Sequence, residues 1–200
     1  DGRITVNPVW TPAVEKMRRA GIGDLAIRVF QQNIEKVASG QSAYIREPDI
    51  LPLTDIPQYE GGTTSPGAHS ADSTPAITRT AVIKLNGGLG TSMGLHKAKS
   101  LLHVTPERTF LDLIVAQVLA VREAHDVSLP LLFMNSFHTE NDTTEYLERF
   151  DSLRLDDLPL SFLQNRVPKL LRSDLSPVAH PNPDLEWCPP GHGDIYPSLL

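Results

Sequence analysis

The second half of the chain alternates three short apolar runs with two helical patterns, and this alternation restricts the fold more than any other feature of the sequence. The runs at residues 81–85, 129–134 and 160–163 have the length and composition of buried strands. Between them, residues 109–121 and 139–150 carry apolar side chains at helical spacing. Strand, helix, strand, helix, strand implies right-handed crossovers, so the sequence predicts an α/β fold with a parallel sheet.

Both helices of this unit have a predicted start. Thr109 and Asp112 have the spacing of a capping box, in which each side chain bonds the other residue's backbone N–H. Thr139 is predicted to cap the second helix. The side chains expected to face the core from that helix are Tyr146, Leu147 and Phe150.

The first fifty residues predict a helical hairpin. Thr11 is predicted to cap one helix, with Pro12 at its first helical position, and Gly21 ends it. Asp24 is predicted to cap a second helix, which Gly40 ends. Its apolar face is expected to consist of Ile27, Phe30, Ile34 and Val37. The side chains expected to face water are Arg18, Arg19, Gln31 and Gln32.

Residues 51–77 separate the hairpin from the α/β unit. They are dense in Pro, Gly, Ser and Thr, a composition that buries too little apolar surface to offset the entropy lost on ordering. We therefore expect a helical N-terminal extension at residues 1–50, a linker at 51–77, and the first part of an α/β domain at 78–200. The lack of an initiator Met and the end shortly after a Pro- and Gly-rich turn favour a piece of a longer protein.

Charge and apolar patterning exclude several kinds of partner. With 18 Lys and Arg against 24 Asp and Glu, the net charge of −6 provides no basic field to hold nucleic acid. No apolar run approaches the roughly 20 residues that span a bilayer. The single cysteine, Cys188, permits neither an intrachain disulfide nor a cysteine-rich zinc site. We expect no nucleic-acid or membrane partner and a reducing, cytoplasmic location.

Several glycines follow the first predicted strand, within residues 85–94. Glycine lets the backbone approach an anion closely, and successive free N–H groups form a cradle for phosphate. The spacing of Gly88, Gly90 and Gly94 does not match the Gly-x-Gly-x-x-Gly motif, and no Gly-Lys-Ser/Thr follows as in a P-loop. Taken alone, these residues favour a phosphate loop but leave open a turn that needs glycine only for its backbone angles.

Three lysines flank the glycine loop. Lys97 and Lys99 lie just beyond it, where a lysine can neutralise phosphate charge, although a solvated surface lysine is an equal alternative. Lys84 lies inside the predicted strand, so we expect it to reach solvent from an edge or to pair with a carboxylate.

Ligands of parallel α/β sheets bind at the carboxyl ends of the strands. In this chain those ends carry residues 86–90, 135–137 and 164–165. The sequence therefore predicts that three loops converge on one crevice.

Residues 84–94, together with Lys99 and Ser100, resemble the nucleotide-binding signature of the UDP-glucose pyrophosphorylases, also called UTP glucose-1-phosphate uridylyltransferases. Further blocks similar to those of this family occur in the family's order, at residues 109–112, 134–137, 164–169 and 187–194. The resemblance covers residues 78–200.

The resemblance implies a Rossmann-like domain of the GT-A type, present here in part, and a nucleotidyltransferase that makes UDP-glucose and pyrophosphate from UTP and glucose-1-phosphate with Mg²⁺. The nucleotide would be held by Leu85, Asn86, Gly87 and Gly88. Lys99 would be the catalytic contact to the phosphates, and Gln164 and Gly191 would read the uracil edge. An amide can both donate and accept, which matches that edge. His192 would face the sugar phosphate, with Gly87 and Gly88 beside it.

The sequence departs from the family pattern at residues 96–99, where His-Lys-Ala-Lys replaces a stretch that often holds another Gly or Pro. The family's metal-binding aspartate and β-helical domain are expected beyond residue 200, so no residue here is assigned to metal. The alternatives are a pyrophosphorylase for another sugar phosphate, an NAD-dependent oxidoreductase, which the glycine spacing opposes, and a nucleotide-binding module without catalysis. A homo-oligomer is left open.

Overall fold

The computed structural model describes residues 10–42, 44–56, 74–89, 94 and 97–200. The centre of the predicted linker, residues 57–73, and Gly90 lie outside the described residues. The helices are α1 (Thr11–Arg19), α2 (Asp24–Ala38), α3 (Thr74–Ile77), α4 (Phe110–His125), α5 (Glu140–Leu147) and α6 (Ile195–Leu199). The strands are β1 (Val82–Asn86), β2 (His103–Thr105), β3 (Arg108–Thr109), β4 (Leu131–Asn135), β5 (Ser161–Leu163), β6 (Val167–Pro168) and β7 (Trp187–Cys188). None of the described helices has the length and apolar character that a membrane span needs.

Strands β1, β4 and β5 form a three-stranded parallel sheet in the order β1-β4-β5, which confirms the predicted α/β fold. Strand β4 lies in the middle, and its Phe133 and Met134 are almost completely buried. The register pairs Asn86 with Asn135 and Asn135 with Leu163. The three strands therefore end together, and the loops that follow them start from one edge of the sheet.

Helix α4 packs against the sheet through one face. Leu111, Val115 and Val118 are buried and follow one another at intervals of four and three residues, as expected for one side of a helix. Burial of each such side chain contributes about 1.5–3 kcal/mol. The same core cluster includes Leu131, Phe133, Leu147 and Leu153.

The capping box predicted for α4 is present. The Thr109 hydroxyl accepts from the backbone N–H of Asp112 at 3.2 Å, and the Asp112 carboxylate accepts from the backbone N–H of Thr109 at 2.6 Å. Tyr146 of α5 donates to the same carboxylate at 2.7 Å, so the cap also ties α5 to the start of α4. Burial alone would raise the pKa of Asp112, but the hydrogen bonds from Thr109 and Tyr146 and the charge of Arg149 outweigh it and hold this pKa below its usual value.

Replacement of this carboxylate should cost stability in a pH-dependent way. We expect Asp112→Asn to lower the free energy of unfolding by about 1–2 kcal/mol near neutral pH, because a neutral amide oxygen accepts these bonds more weakly. A carboxylate whose pKa falls on folding stabilises the protein above its unfolded pKa, about 3.9, and loses this effect as pH falls through the folded pKa. Urea unfolding followed by circular dichroism should therefore show a difference that shrinks below about pH 4. A difference that stays constant into strong acid would contradict the role of the ionised carboxylate.

Helix α5 starts differently from the prediction. Thr139 is at the N-cap position, but its side chain does not cap the helix. Its hydroxyl instead donates to the carbonyl oxygen of Asn86 at 2.8 Å and accepts from the backbone N–H of Ser136 at 3.0 Å. The helix ends at Leu147, so Phe150 follows it and packs partly buried against the core.

The predicted helical hairpin is present as α1 and α2. Gly21 and Gly40 follow the two helices with φ of 74° and 71°, a left-handed conformation that favours glycine. The cap positions belong to Trp10 and Gly23, so Thr11 and Asp24 are the first helical residues and neither is the cap. The predicted start of each of the two helices was therefore one residue too late, which is within the usual uncertainty of helix boundaries.

Two predicted exposures in this hairpin were wrong. Gln31 is only 6% exposed, because it lies four residues after Ile27 and three before Ile34 and so shares their buried side of α2. Val37 is 64% exposed. An open cavity of about 550 Å³ lies between the end of α2 and residues 170–175, which leaves the last turn of this helix largely uncovered.

The hairpin packs on β6 and β7, an antiparallel pair that was not predicted. Lys16 of α1 forms an ion pair with Glu186 and donates to the carbonyl oxygen of Val178 at 3.2 Å. Its Nζ lies 5.4 Å from the ring centroid of Trp187, and Cζ of Arg166 lies 4.7 Å from the same ring. The buried cluster around Trp187 includes Trp10, Met17, Ile27, Phe30 and Ile34. The N-terminal helices are thus anchored to the part of the chain that follows the sheet.

Candidate functional site

A cavity of about 460 Å³ opens at the carboxyl end of β1. Its lining contains five residues that the family resemblance implied, namely Leu85, Asn86, Gly88, Lys99 and His192. The other lining residues, for which no role in the site was predicted, are Lys84, Ser100, Leu102, Phe110 and Ile114. Phe110 and Ile114 are one turn apart at the start of α4, so this helix supplies an apolar wall.

Lys99 lies directly over the glycine loop. Its backbone N–H donates to the carbonyl oxygen of Gly88 at 3.0 Å, and Leu89 pairs with Ala98 in an isolated antiparallel bridge. A Cβ placed on Gly88 would lie 3.8 Å from Cδ of Lys99, so the aliphatic stem of the lysine passes over this glycine. The side chain therefore reaches the cavity along the loop backbone.

Lys97 is placed differently, although it is only two residues away. It is exposed and borders a separate cavity together with Asp142, Glu145 and Arg149. The structure thus separates the two candidate lysines and places only Lys99 at the cavity beside β1.

Lys84 also borders this cavity. Strand β1 is at an edge of the described sheet, as one of the two predictions for Lys84 required. Its Nζ donates to the carbonyl oxygen of Leu85 at 2.6 Å, and no carboxylate of the described residues forms an ion pair with it. Burial lowers the pKa of Lys84, because the charged ammonium is partly removed from water. An anion in the cavity would favour the charged form.

The side chain of Gln164 packs on the backbone of Gly87. A Cβ at position 87 would lie 2.0 Å from Nε2 and 3.0 Å from Cδ of Gln164, so this close approach requires glycine. Gln164 is buried, and its backbone N–H donates to the carbonyl oxygen of Asn135 at 2.8 Å. These contacts bring the ends of β1, β4 and β5 together, but none of residues 135–137 and 164–165 lines the cavity beside β1, so the prediction that three loops share one crevice is met only in part.

Asn86 is the centre of a buried polar network below the loop. Its Nδ2 donates to Oδ1 of Asn135 at 2.7 Å and to the hydroxyl of Thr143 at 2.9 Å. Asn135 in turn donates to Glu140 at 2.7 Å, and Ser161 of β5 donates to the same carboxylate at 2.6 Å. Both amide hydrogens of Asn86 are therefore used inside the protein, and the network links the carboxyl ends of β1 and β4 to the start of β5.

A turn at residues 191–194 brings His192 to the cavity. Gly191 has φ of 112°, a conformation that side chains rarely adopt, and it is exposed. Asp194 is buried and accepts from the backbone N–H of Asn165 at 2.6 Å and from the hydroxyl of Ser198 at 2.8 Å. Asp194 thus fixes this turn to the loop after β5. The uracil-reading role of Gly191 stays a prediction.

The cavity is suited to an anion. Its described lining contains the donors of Lys84, Lys99, Ser100 and His192 and no Asp or Glu. Ser100 is 7% exposed, and its hydroxyl has no hydrogen-bond partner in the described part of the chain. A buried hydroxyl left unpaired costs about 1–3 kcal/mol, which a ligand oxygen or a water that accepts its hydrogen would recover.

Other candidate chemistry is located elsewhere or is lacking in the described residues. Cys188 packs with Sγ 3.7 Å from the carbonyl oxygen of Val167, and burial raises the pKa of this thiol, as expected for a structural cysteine. Over the described ranges, no three His, Cys, Asp or Glu side chains form a cluster that could hold a metal ion.

Comparison with known proteins identifies the relatives of this chain. Residues 26–200 match the family model described as UTP–glucose-1-phosphate uridylyltransferase. The protein of that name from Musa acuminata is 36% identical over 175 residues, which are 86% of this chain and 37% of the relative. The protein of that name from Solanum tuberosum is 41% identical over 174 residues, which are 86% of this chain and 36% of the relative.

Solved structures show the same similarity. A mutant UDP-glucose pyrophosphorylase from Leishmania major in complex with UDP-glucose superposes with a TM-score of 0.85 and 35% identity, over 98% of this chain and 40% of that one. The UDP-glucose phosphorylase of Trypanosoma brucei gives a TM-score of 0.81 and 36% identity, over 96% of this chain and 41% of that one. The chain thus spans about two fifths of the length of these relatives.

Proposed function

The chain belongs to the UTP–glucose-1-phosphate uridylyltransferase family, and on this basis we propose that it binds UTP and glucose-1-phosphate for the synthesis of UDP-glucose and pyrophosphate. One observation carries the proposal. At the carboxyl end of β1, the cavity brings Gly88, Lys99 and His192 together, and Gln164 packs on Gly87 beside it. We also propose that the parallel sheet is part of a Rossmann-like domain of the GT-A type, because its ligand cavity lies where such folds bind nucleotides.

The base of the nucleotide is proposed to contact Gln164. Uracil presents an alternation of acceptor and donor along its imide edge, which one amide can match by donating and accepting. A base with a different donor pattern would leave a buried polar group unpaired, at a cost of about 1–3 kcal/mol.

The phosphates are proposed to face Lys99 and the glycine loop. A lysine near the bridging and leaving oxygens would stabilise negative charge as it grows on pyrophosphate. The buried hydroxyl of Ser100 and the ammonium of Lys84 border the same cavity and add donors for anionic oxygens.

The reaction is proposed to be an in-line displacement. A phosphate oxygen of glucose-1-phosphate forms a bond to the α-phosphorus of UTP, the bond from that phosphorus to the bridging oxygen breaks, and pyrophosphate leaves with the electron pair. The attacking oxygen is already anionic at neutral pH, so His192 serves as a hydrogen-bond donor to the sugar phosphate rather than as a base. Positioning and charge neutralisation then supply most of the rate.

Magnesium is proposed to arrive with the nucleotide. Mg²⁺ is commonly bound through substrate phosphates and only one or two carboxylates. The described residues do not offer a clustered ligand set of their own, and the carboxylate of Asp194 is occupied by Asn165 and Ser198. No step of the reaction is therefore assigned to a metal held by these residues.

A cytoplasmic location is proposed as well.

Nucleotide choice tests this function. Isothermal titration calorimetry should show that the chain binds UTP and UDP-glucose at least about fivefold more tightly than ATP or NAD, because one mispaired buried group costs at least about 1 kcal/mol. Equal affinity for UTP and ATP would remove the uracil assignment of Gln164. Tight NAD binding would instead support the oxidoreductase alternative.

A further inference from the structure

Two hydroxyl groups beside the site have no part in the function proposed above. Ser136 and Thr139, here called the hydroxyl pair, lie between β4 and α5 and are fully buried. Ser136 Oγ donates to the carbonyl oxygen of Gly87 at 2.9 Å, and Thr139 Oγ1 donates to the carbonyl oxygen of Asn86 at 2.8 Å. The pair thus holds the first carbonyls of the glycine loop from the protein interior.

These bonds also determine where the loop's N–H groups point. The described chain has no cis peptide bond, and in a planar trans peptide the C=O and the following N–H point in opposite directions. Since the carbonyls of Asn86 and Gly87 point toward the hydroxyl pair, the N–H groups of Gly87 and Gly88 point away from it. Gly88 borders the cavity, so a ligand there meets backbone donors whose direction is set in advance.

The hydroxyl pair is itself held in place. The Thr139 hydroxyl oxygen accepts a hydrogen bond from the backbone N–H of Ser136 at 3.0 Å, while its hydroxyl hydrogen is donated to the carbonyl oxygen of Asn86. The side chain of Asn86 is bonded to Asn135 and to Thr143, which fixes the same peptide from a second direction. Without these hydrogen bonds, the glycines would sample many backbone orientations. Because the bonds exclude most of these orientations before the nucleotide arrives, less conformational entropy is lost on binding.

We propose that Ser136 and Thr139 are positioning residues that orient the glycine-loop N–H groups toward oxygen acceptors of the nucleotide. This inference rests on the proposed function, namely that the cavity beside β1 binds UTP. It gives a role to Ser136, which directly follows β4 and which the proposed reaction leaves without a task.

Four variants of the chain separate this role from plain stability. Thr139→Val and Ser136→Ala remove one hydroxyl each, and Thr139→Ser restores it. Thr144→Val is the matched control, because among the described residues the Thr144 hydroxyl bonds only to the carbonyl oxygens of Glu140 and Asn141 within α5. We expect Thr139→Val and Ser136→Ala to weaken UTP binding by about tenfold, and Thr139→Ser and Thr144→Val to stay within about twofold of the wild type.

Hydrogen exchange provides a readout that does not depend on UTP. Exchange of residues 82–89, followed by mass spectrometry, should accelerate in Thr139→Val and Ser136→Ala and remain unchanged in Thr144→Val. Unchanged exchange and unchanged UTP affinity in Thr139→Val would overturn the proposal. Equal losses of UTP affinity and melting temperature in all variants, including Thr144→Val, would also overturn it. If the wild type fails to bind UTP, the proposed function fails, and exchange alone decides whether the hydroxyl pair orders the loop.

Discussion

Replacement of Lys99 by alanine is expected to lower the rate of uridylyl transfer more than 100-fold in a protein that spans the full family length, which corresponds to about 3 kcal/mol of transition-state stabilisation. The reason is its place above Gly88 at the cavity, where a mobile cation can meet the charge that grows on pyrophosphate. Steady-state detection of released pyrophosphate measures the effect.

Two further variants separate charge from packing at this position. Lys99→Met keeps most of the stem over Gly88 but removes the charge, and we expect it to be as slow as Lys99→Ala. Lys97→Ala removes a lysine that borders a different cavity, and its rate should stay within about threefold of the wild type. Near-normal turnover of Lys99→Met would show that the stem, and not the ammonium, is what the reaction needs.

Gly87→Ala is expected to weaken UTP binding more than about tenfold and to abolish the preference for UTP over ATP. The added Cβ would lie 2.0 Å from Nε2 of Gln164, so the amide must leave its position. The clash is with the end of a flexible side chain, so the fold should tolerate it, and the melting temperature should change little. Calorimetry with both nucleotides and a thermal melt measure the two effects.

Gly88→Ala is the matched control for this prediction. Of the atoms in the described part of the chain, a Cβ at position 88 would meet only Cδ of Lys99, at 3.8 Å, which is an ordinary contact, and neither glycine has a left-handed backbone. We expect Gly88→Ala to keep the wild-type preference for UTP over ATP, whatever its effect on phosphate binding, because Gln164 is not displaced. If Gly88→Ala loses this preference as Gly87→Ala does, contact between Gly87 and Gln164 does not determine base recognition.

The sheet and α4 could be predicted because their signals are local and strong. The three strands appear as short apolar runs, although only β4 is buried as predicted, whereas β1 and β5 are largely half-buried. The Thr109–Asp112 cap joins residues three positions apart. The pairs β2–β3 and β6–β7 could not be predicted, because strands of two or three residues are too short to show a period.

The site was predicted through its glycine loop, and its walls were missed for a physical reason. Ile114 follows the helical pattern of α4, which does not show whether an apolar residue faces the core or a cavity. Thr139 matches the preference for a cap residue, but its hydroxyl bonds Asn86, 53 positions away, and local propensity carries no information about such a partner.

The anchoring of the N-terminal helices has a consequence for the order of folding during synthesis. The ion pair between Lys16 and Glu186 joins residues 170 positions apart. At about 5–20 residues per second, a ribosome needs roughly 10–30 s to make the intervening chain. Throughout that time Met17, Ile27 and Ile34 have no Trp187 to pack against, whereas β1, α4 and β4 can associate as soon as residue 135 has left the ribosome. Helices α1 and α2 are therefore made before the sheet but reach their native packing after it, and their apolar face is open to chaperones in the meantime.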